Sequence, residues 1–287
     1  MFPRLAKTFA VIVSSTILAT LAVNAVDMRG HMATSWLASV FQVFMSRDEG
    51  PCPKNMVLVT DAIEPFCVDT YEASPGRRCP FSQPSSPQET MMNLANASCH
   101  AVSEPNTMPW TYVDREQARQ ACELAGKRLP TASEWYKAAI GTPNLSSGLS
   151  EDHCNIDRNR ADGMAMTGGG FRCVSHVGAY DMVGNVWEWV DEDILAGIWD
   201  EREVPTTGFV AGVDMHGVPT ETRSGHDERF ASDRFWSDRR LERAGMMRGG
   251  HFDSKVSAGV FSIYAASPPS FSGVATGFRC VTEPNDS

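Results

Sequence analysis

The stretch Arg248-Gly249-Gly250-His251-Phe252-Asp253-Ser254, continuing from Val256 to Gly259, carries a cation, a glycine pair and three side chains capable of chemistry. His251 and Asp253 stand two residues apart, and on a strand two such side chains share one face. That arrangement suits a general base acting through water and oriented by a carboxylate, with Ser254 beside it and Tyr264 in the cleft wall. The plainer reading is a histidine and an aspartate on a surface without a role. His251, Asp253 and Ser254 are the candidate catalytic residues. The stretch contains no cysteine.

Outward from this stretch, the chain of 287 residues is 42% hydrophobic and 21% charged, which suits one large or two small globular domains. Arg4 and Lys7 precede the uncharged run Thr8 to Val23, and Val23-Asn24-Ala25 offers small residues for cleavage. This reads as residues 1–25 forming a signal peptide or N-terminal anchor, short for a membrane span of about 20 residues. Residues 26–50 read as a linker and 51–287 as the domain, with a charged insertion at 196–247 containing His216, His226 and Asp227. Such an insertion is expected to be a loop that covers a cleft and sets specificity. A formal charge of -10 excludes nucleic acid as a partner, since that binding relies on Lys and Arg neutralising phosphates. A membrane enters only through the N-terminal anchor.

The eight cysteines all lie beyond the leader, and an even number in an exported chain favours disulfides in a periplasmic or extracellular compartment. No CxxC pair exists, so zinc-ribbon and thioredoxin-type readings lack their spacing. Eight cysteines allow about 105 connectivities. Adjacency favours Cys52 with Cys67, Cys79 with Cys99 and Cys154 with Cys173.

Met56 to Val59 and Phe66 to Tyr71 read as short strands, being rich in β-branched and aromatic residues. Residues 74–109, dense in Pro, Ser and Asn, read as loop. Asp114 with Gln117 caps a helix that Gly126 stops, with Ala118, Ala121, Cys122 and Ala125 on one face. Thr131 and Glu134 form a capping box ahead of Trp135, Ala138 and Ala139. Asn96-Ala97-Ser98 and Asn144-Leu145-Ser146 match glycosylation acceptors. Few helices, long loops and stapling cysteines describe a disulfide-rich α+β domain.

Together with the opening stretch, GKRLPTASEW (Gly126 to Trp135), DMVGNVWEW (Asp181 to Trp189) and GFRCV (Gly277 to Val281) resemble the formylglycine-generating, sulfatase-modifying enzyme family. The resemblance covers roughly Val57 to Val281. It implies an irregular C-type-lectin-like fold whose loops are held by disulfides and calcium, and it pairs Cys122 with Cys280. CVDTYEAS (Cys67 to Ser74) looks more like the bacterial relatives, among them a periplasmic siderophore-maturation oxidase branch.

The resemblance also implies ligands. One calcium site would use the Asp181 and Glu188 side chains with the Gly184 and Val186 carbonyls, hard oxygens of the kind calcium takes. A second would use Asn155, the Ile156 carbonyl, Asp162 and the Met164 carbonyl. Turn formation and capping explain the same residues without an ion. Arg128, Glu134 and Arg279 fall in fold motifs and read as an ion-pair network, and Trp187 and Trp189 as core. In the family's copper oxidases, cysteines stand where this chain has Ser254 and Gly259. Copper(I) needs soft sulfur ligands, so copper is not expected here. The function implied is that of an exported protein modifying or maturing a peptide, a protein or a peptide-derived small molecule without the copper centre. The alternative is a non-catalytic C-type-lectin-like binding module. Formylglycine synthesis itself requires two reactive cysteines and is the weakest reading.

Overall fold

The structure, a computed structural model, describes residues 50–143, 153–157 and 163–285. The leader at 1–25, the linker at 26–50 apart from Gly50, Asp162 and the Asn144 acceptor lie outside the described residues. No helix among the described residues is long and apolar enough to cross a membrane.

Local signals in the sequence account for the helices. The second helix, α2 (Arg115–Leu124), starts at Asp114, whose carboxylate accepts the Gln117 N–H at 2.9 Å while Gln117 accepts the Asp114 N–H at 3.1 Å. The third, α3 (Ala132–Ala139), has the reciprocal Thr131 and Glu134 bonds at 3.1 and 2.8 Å. Each reciprocal pair satisfies two backbone donors that a helix start leaves orphaned. Residues 74–109 correct the loop expectation. They complete β3 (Ala73–Pro75), form α1 (Pro87–Leu94) and enter β4 (Ala101–Ser103), which pairs with β3. Ser86 caps α1 by accepting from the Glu89 N–H at 3.3 Å, and Pro87 occupies the first turn, where a missing N–H costs nothing.

Strands β1 (Met56–Val59) and β2 (Phe66–Asp69) form a hairpin that β14 (Val281–Thr282) extends. A nine-stranded sheet carries the rest: β5 (Trp187–Leu195), β6 (Ile198–Trp199), β7 (Arg202–Glu203), β8 (Gly208–Val213), β9 (Pro219–Arg223), β10 (Arg234–Ser237), β11 (Arg243–Gly249), β12 (Gly259–Ala265) and β13 (Thr276–Gly277). Its order is β7-β6-β5-β11-β12-β10-β8-β9, with β13 beside β5. The 196–247 insertion is therefore not a covering loop. Its strands extend the sheet at both edges, and buried Val210, Val218 and Phe235 carry it into the main core. His216 and Asp227 serve structure. The His216 carbonyl accepts from Arg248, and Asp227 is paired with Arg229 and Arg223.

All eight cysteines form disulfides, Cys52–Cys67, Cys79–Cys99, Cys122–Cys280 and Cys154–Cys173. The Cys122–Cys280 bond joins α2 to the chain leading into β14 across a sequence separation of 158. By loop-closure entropy that constraint is worth about 5 kcal/mol, offsetting sparse regular structure. Four disulfides place the folded chain in an oxidising, exported environment.

Candidate functional site

The glycine pair ends β11, and its conformation places everything after it. Gly250 has φ +91°, and a Cβ there would lie 2.5 Å from the Ala258 Cβ. Neither the backbone angle nor the space admits another residue cheaply. The β11–β12 pairing also shifts register between Arg248 and Gly249, a bulge of the kind that re-aims a strand end beside a site.

The chain then turns rather than continuing as a strand, so the expectation that His251 and Asp253 share a strand face is corrected. The Asp253 backbone N–H donates to His251 Nδ1 at 3.3 Å. A neutral imidazole accepting at Nδ1 carries its proton on Nε2. The Ser254 hydroxyl accepts the His251 N–H at 2.9 Å, and the Ser254 N–H donates to the His251 carbonyl at 2.9 Å. Ser254 thus braces the turn, and Asp253 is exposed at its tip.

His251 faces a cleft of about 270 Å³ lined by Trp187, Met247, Tyr264, Phe271 and residues 273–276. Adjacent strands bring these groups together. Tyr264 of β12 is in register with Met247 of β11 on one side and Trp236 of β10 on the other. The Trp187 ring lies 5.6 Å from Trp236, 5.9 Å from Tyr264 and 6.1 Å from His251. Trp187 and Trp189 are both core, as expected, Trp187 also presenting an edge to the cleft and Trp189 having its indole N–H bound to the Val113 carbonyl at 2.9 Å. Trp236 shows the insertion's part in the site, since it supports the wall from a strand rather than covering the cleft.

The position of the second family cysteine is filled. A Cβ on Gly259 would lie 1.9 Å from Asp233 Oδ1, inside the carboxylate. Asp233 is fully buried, and its Oδ2 accepts the Phe261 N–H at 2.7 Å. A residue contributed by the insertion therefore uses the space that a cysteine side chain would need.

Behind the RGG turn lies the Asp181–Glu188 loop. Gly184, at φ +83°, lets the loop pass so close to Asn155 that a Cβ would sit 2.5 Å from its carbonyl oxygen. Asn185 then acts as a hub. Its carbonyl accepts the Phe252 N–H at 3.0 Å, and its side chain binds Ala165, Asn155 and Glu72. The Glu188 carboxylate is committed to Arg279 by two bonds of 2.7 Å and to the Trp135 indole at 2.6 Å. Asp181 Oδ2 accepts the Gly168 N–H at 2.6 Å. Sequence reasoning passed over Glu72, which is fully buried here and accepts from Asn185 at 2.6 Å and from the Val186 N–H at 3.3 Å. Burial, then the charges of Asp181 and Glu188, push the Glu72 carboxyl well above its ordinary range.

Glu72, Asp181 and Glu188 are buried carboxylates sharing Arg279 as counter-charge, and all of them offer hard oxygens. At the second candidate site the fully buried Asn155 has a side-chain oxygen with no hydrogen-bond donor, while its amide donates to Gly163 and Asn185. An unsatisfied buried acceptor is costly, and a cation would satisfy it. The Ile156 carbonyl takes the Lys255 N–H at 2.6 Å. Among the described residues no group of three or more His, Cys, Asp and Glu side chains is arranged to hold a metal ion.

The two remaining arginines of the fold motifs separate. Arg128 makes a fork to Glu134 at 2.7 and 2.8 Å on the surface, and Arg279 takes the buried role with Glu188. Arg248 is also fully buried, donating to the Ala132, His216, Gly217 and Val260 carbonyls and lying 5.1 Å over Trp135. Burial lowers its pKa to about 10, still charged at neutral pH, so it ties α3 to the inserted β8–β9 hairpin as a cation.

Over 149 residues the chain is 30% identical to the inactive C-alpha-formylglycine-generating enzyme 2 of Bos taurus, covering 46% of this chain and 50% of that one. It is 25% identical over 203 residues to the formylglycine-generating enzyme of Thermomonospora curvata, covering 64% and 58%. The chain thus spans about half the length of these curated relatives. Among solved structures it is similar to PvdO from Pseudomonas aeruginosa, with a TM-score of 0.41 and 15% identity over 76% of this chain and 80% of that chain. The family profile described as a sulfatase-modifying factor enzyme 1-like domain matches residues 60–284. With its RGG turn, Asp181–Glu188 loop and buried Arg279 all in place, the chain belongs to the sulfatase-modifying factor family and has its irregular, disulfide-stapled C-type-lectin-like fold.

Proposed function

We propose that this protein uses the family cleft to hold an apolar or aromatic side chain of a peptide, protein or peptide-derived molecule, without formylglycine chemistry. The observation that carries this reading is the Asp233 carboxylate occupying the space beside Gly259. With Ser254 bracing the turn and every cysteine in a disulfide, the chain supplies no thiolate to the cleft. What it retains is a wall of Trp187 and Tyr264 backed by Trp236, suited to desolvating one side chain. This favours the binding-module reading over oxidation.

Two measurements test it. Unreduced, denatured protein is expected to show no free thiol, and the folded protein to bind no copper(I). The Ser254→Cys/Gly259→Cys variant is also expected to bind none with high affinity until Asp233→Ala is added. Tight copper binding by the native chain would overturn the reading. For synthetic pentapeptides with a central tyrosine or leucine, Trp187→Ala is expected to weaken binding by roughly 30-fold, the scale of losing a buried aromatic anchor. Equal affinity of native protein and variant in calorimetry would remove the cleft from recognition.

A catalytic role rests on one geometric point, that His251 lines the cleft while its Nδ1 accepts the Asp253 backbone N–H. Under that reading His251→Asn abolishes turnover of a bound peptide, seen as a lost mass change, while binding persists. Calcium at the Asp181–Glu188 loop beside Glu72 would supply positive charge that balances the carboxylates. The chain's own contribution is mechanical, since Gly184, Asn185 and Ile156 hold Gly249, Phe252 and Lys255 by backbone hydrogen bonds.

A further inference from the structure

A second cleft, of about 720 Å³, opens beside the β3–β4 hairpin and is unlike the aromatic one. Arg77, Arg78, Gln83 and His100 line it, with Ser74 and Thr107 joined by a 2.7 Å hydroxyl contact. Both arginines are exposed, and neither has an ion-pair partner among the described residues. Elsewhere on this acidic chain Arg119, Arg128, Arg202, Arg223, Arg229 and Arg240 each meet a carboxylate. Among the described residues Arg234 and Arg248 lack a carboxylate too but lie over aromatic rings, whereas Arg77 and Arg78 stand exposed side by side in a concave wall. Glu104 also lines the cleft, and one carboxylate does not neutralise two guanidiniums.

The segment bearing these arginines is held rigidly. The Cys79–Cys99 disulfide ties it to the approach to β4, and the Gly76 N–H donates to the His100 carbonyl at 3.0 Å. Asn93 of α1 makes two bonds of 2.8 Å to the Phe81 backbone, and the Asn96 amide reaches the Arg78 carbonyl at 3.3 Å. The close approach depends on Gly76, where a Cβ would lie 2.9 Å from the His100 carbonyl oxygen. A preorganised backbone reduces the ordering cost of binding.

We propose that Arg77 and Arg78, with His100, are the recognition end of a second ligand site that takes a small, multiply charged oxyanion. Guanidinium forks match carboxylate, phosphate and sulfate oxygens in pairs, and two forks suit a ligand carrying at least two negative charges. This site is independent of the aromatic cleft, so it stands or falls apart from the function proposed above.

The test is titration of the full chain with inorganic phosphate and, separately, with citrate, each against sodium chloride at matched ionic strength. Arginine side-chain NMR signals and calorimetry are the readouts. Saturable binding is expected with at least one probe, and Arg77→Gln/Arg78→Gln is expected to weaken it by about tenfold or more. The same variant should keep the native melting temperature, because exposed, unpaired side chains contribute little to stability. A preference for phosphate assigns a tetrahedral oxyanion, and a preference for citrate assigns a polycarboxylate. Absence of saturable binding with both probes, or equal binding by the variant, overturns the proposal.

Discussion

Replacing Arg279 with methionine is expected to destabilise the protein by about 3–5 kcal/mol, because it leaves a carboxylate buried without its partner. Arg279 is fully buried and makes two 2.7 Å bonds to Glu188, one of 2.9 Å to the Asp69 carbonyl and one of 2.8 Å to the Tyr180 carbonyl. It therefore connects the GFRCV segment to β5, to β2 and to the turn before Asp181. Arg279→Lys should recover little, since an ammonium cannot reproduce the fork or reach the two carbonyls together. Glu188→Gln strands the guanidinium instead and should cost a comparable amount. The double replacement Arg279→Met/Glu188→Leu is expected to cost clearly less than the sum of the single losses, as coupled neighbours do. Urea unfolding of the four variants measures this. A loss below about 1 kcal/mol for Arg279→Met, the size of an exposed pair, would show that the buried pair does not hold the fold.

Calcium is expected to raise the melting temperature and a chelator to lower it. At a concentration 100-fold above the dissociation constant the gain is about 2.7 kcal/mol, which for a domain of this size is roughly 5–10 °C. The response should also depend on pH in a defined direction. Burial and the neighbouring Asp181 and Glu188 raise the Glu72 carboxyl above its ordinary value of 4.5. A carboxyl whose folded value is raised binds its proton more tightly in the native state. Its contribution to stability is complete below the unfolded value and is lost as pH rises through the folded one. The metal-free protein should accordingly lose stability as pH climbs above 4.5 through the raised value. Calcium favours the ionised form, so the stabilisation it provides should grow over the same interval. Glu72→Gln should flatten this part of the pH dependence and weaken the calcium response together. Melting curves across pH with calcium or EDTA test the argument. Curves insensitive to calcium at every pH, in both the native chain and the variant, would count against the site.

How much of this was legible in the letters depended on the range of the interaction. The capping boxes at Asp114 and Thr131 were readable because donor and acceptor lie three residues apart, and β1 because four consecutive residues carry its pattern. Helix α1 had the same kind of signal in Ser86-Pro87 and Glu89, hidden by the polar composition around it. The insertion read as a loop because its charged residues occupy exposed positions, while the few inward ones, such as Val210 and Phe235, are scattered among them. Within the site, the sequence singled out His251, Asp253 and Ser254 but read them as strand residues. It could not indicate that the chain turns there instead, nor that a backbone amide would meet the imidazole.

Taken alone, the sequence determined family membership, the capped helices and the absence of any cysteine from the RGG stretch, since each is written in neighbouring residues or short motifs. Only the tertiary structure decided that Glu72 joins Asp181 and Glu188, that Arg279 rather than solvent neutralises Glu188, and that Asp233 fills the space at Gly259. The reason is physical. Coulomb energy and steric exclusion depend on distance through space, and these groups come from segments that meet only when the sheet, its inserted strands and the long disulfide-closed loop have formed.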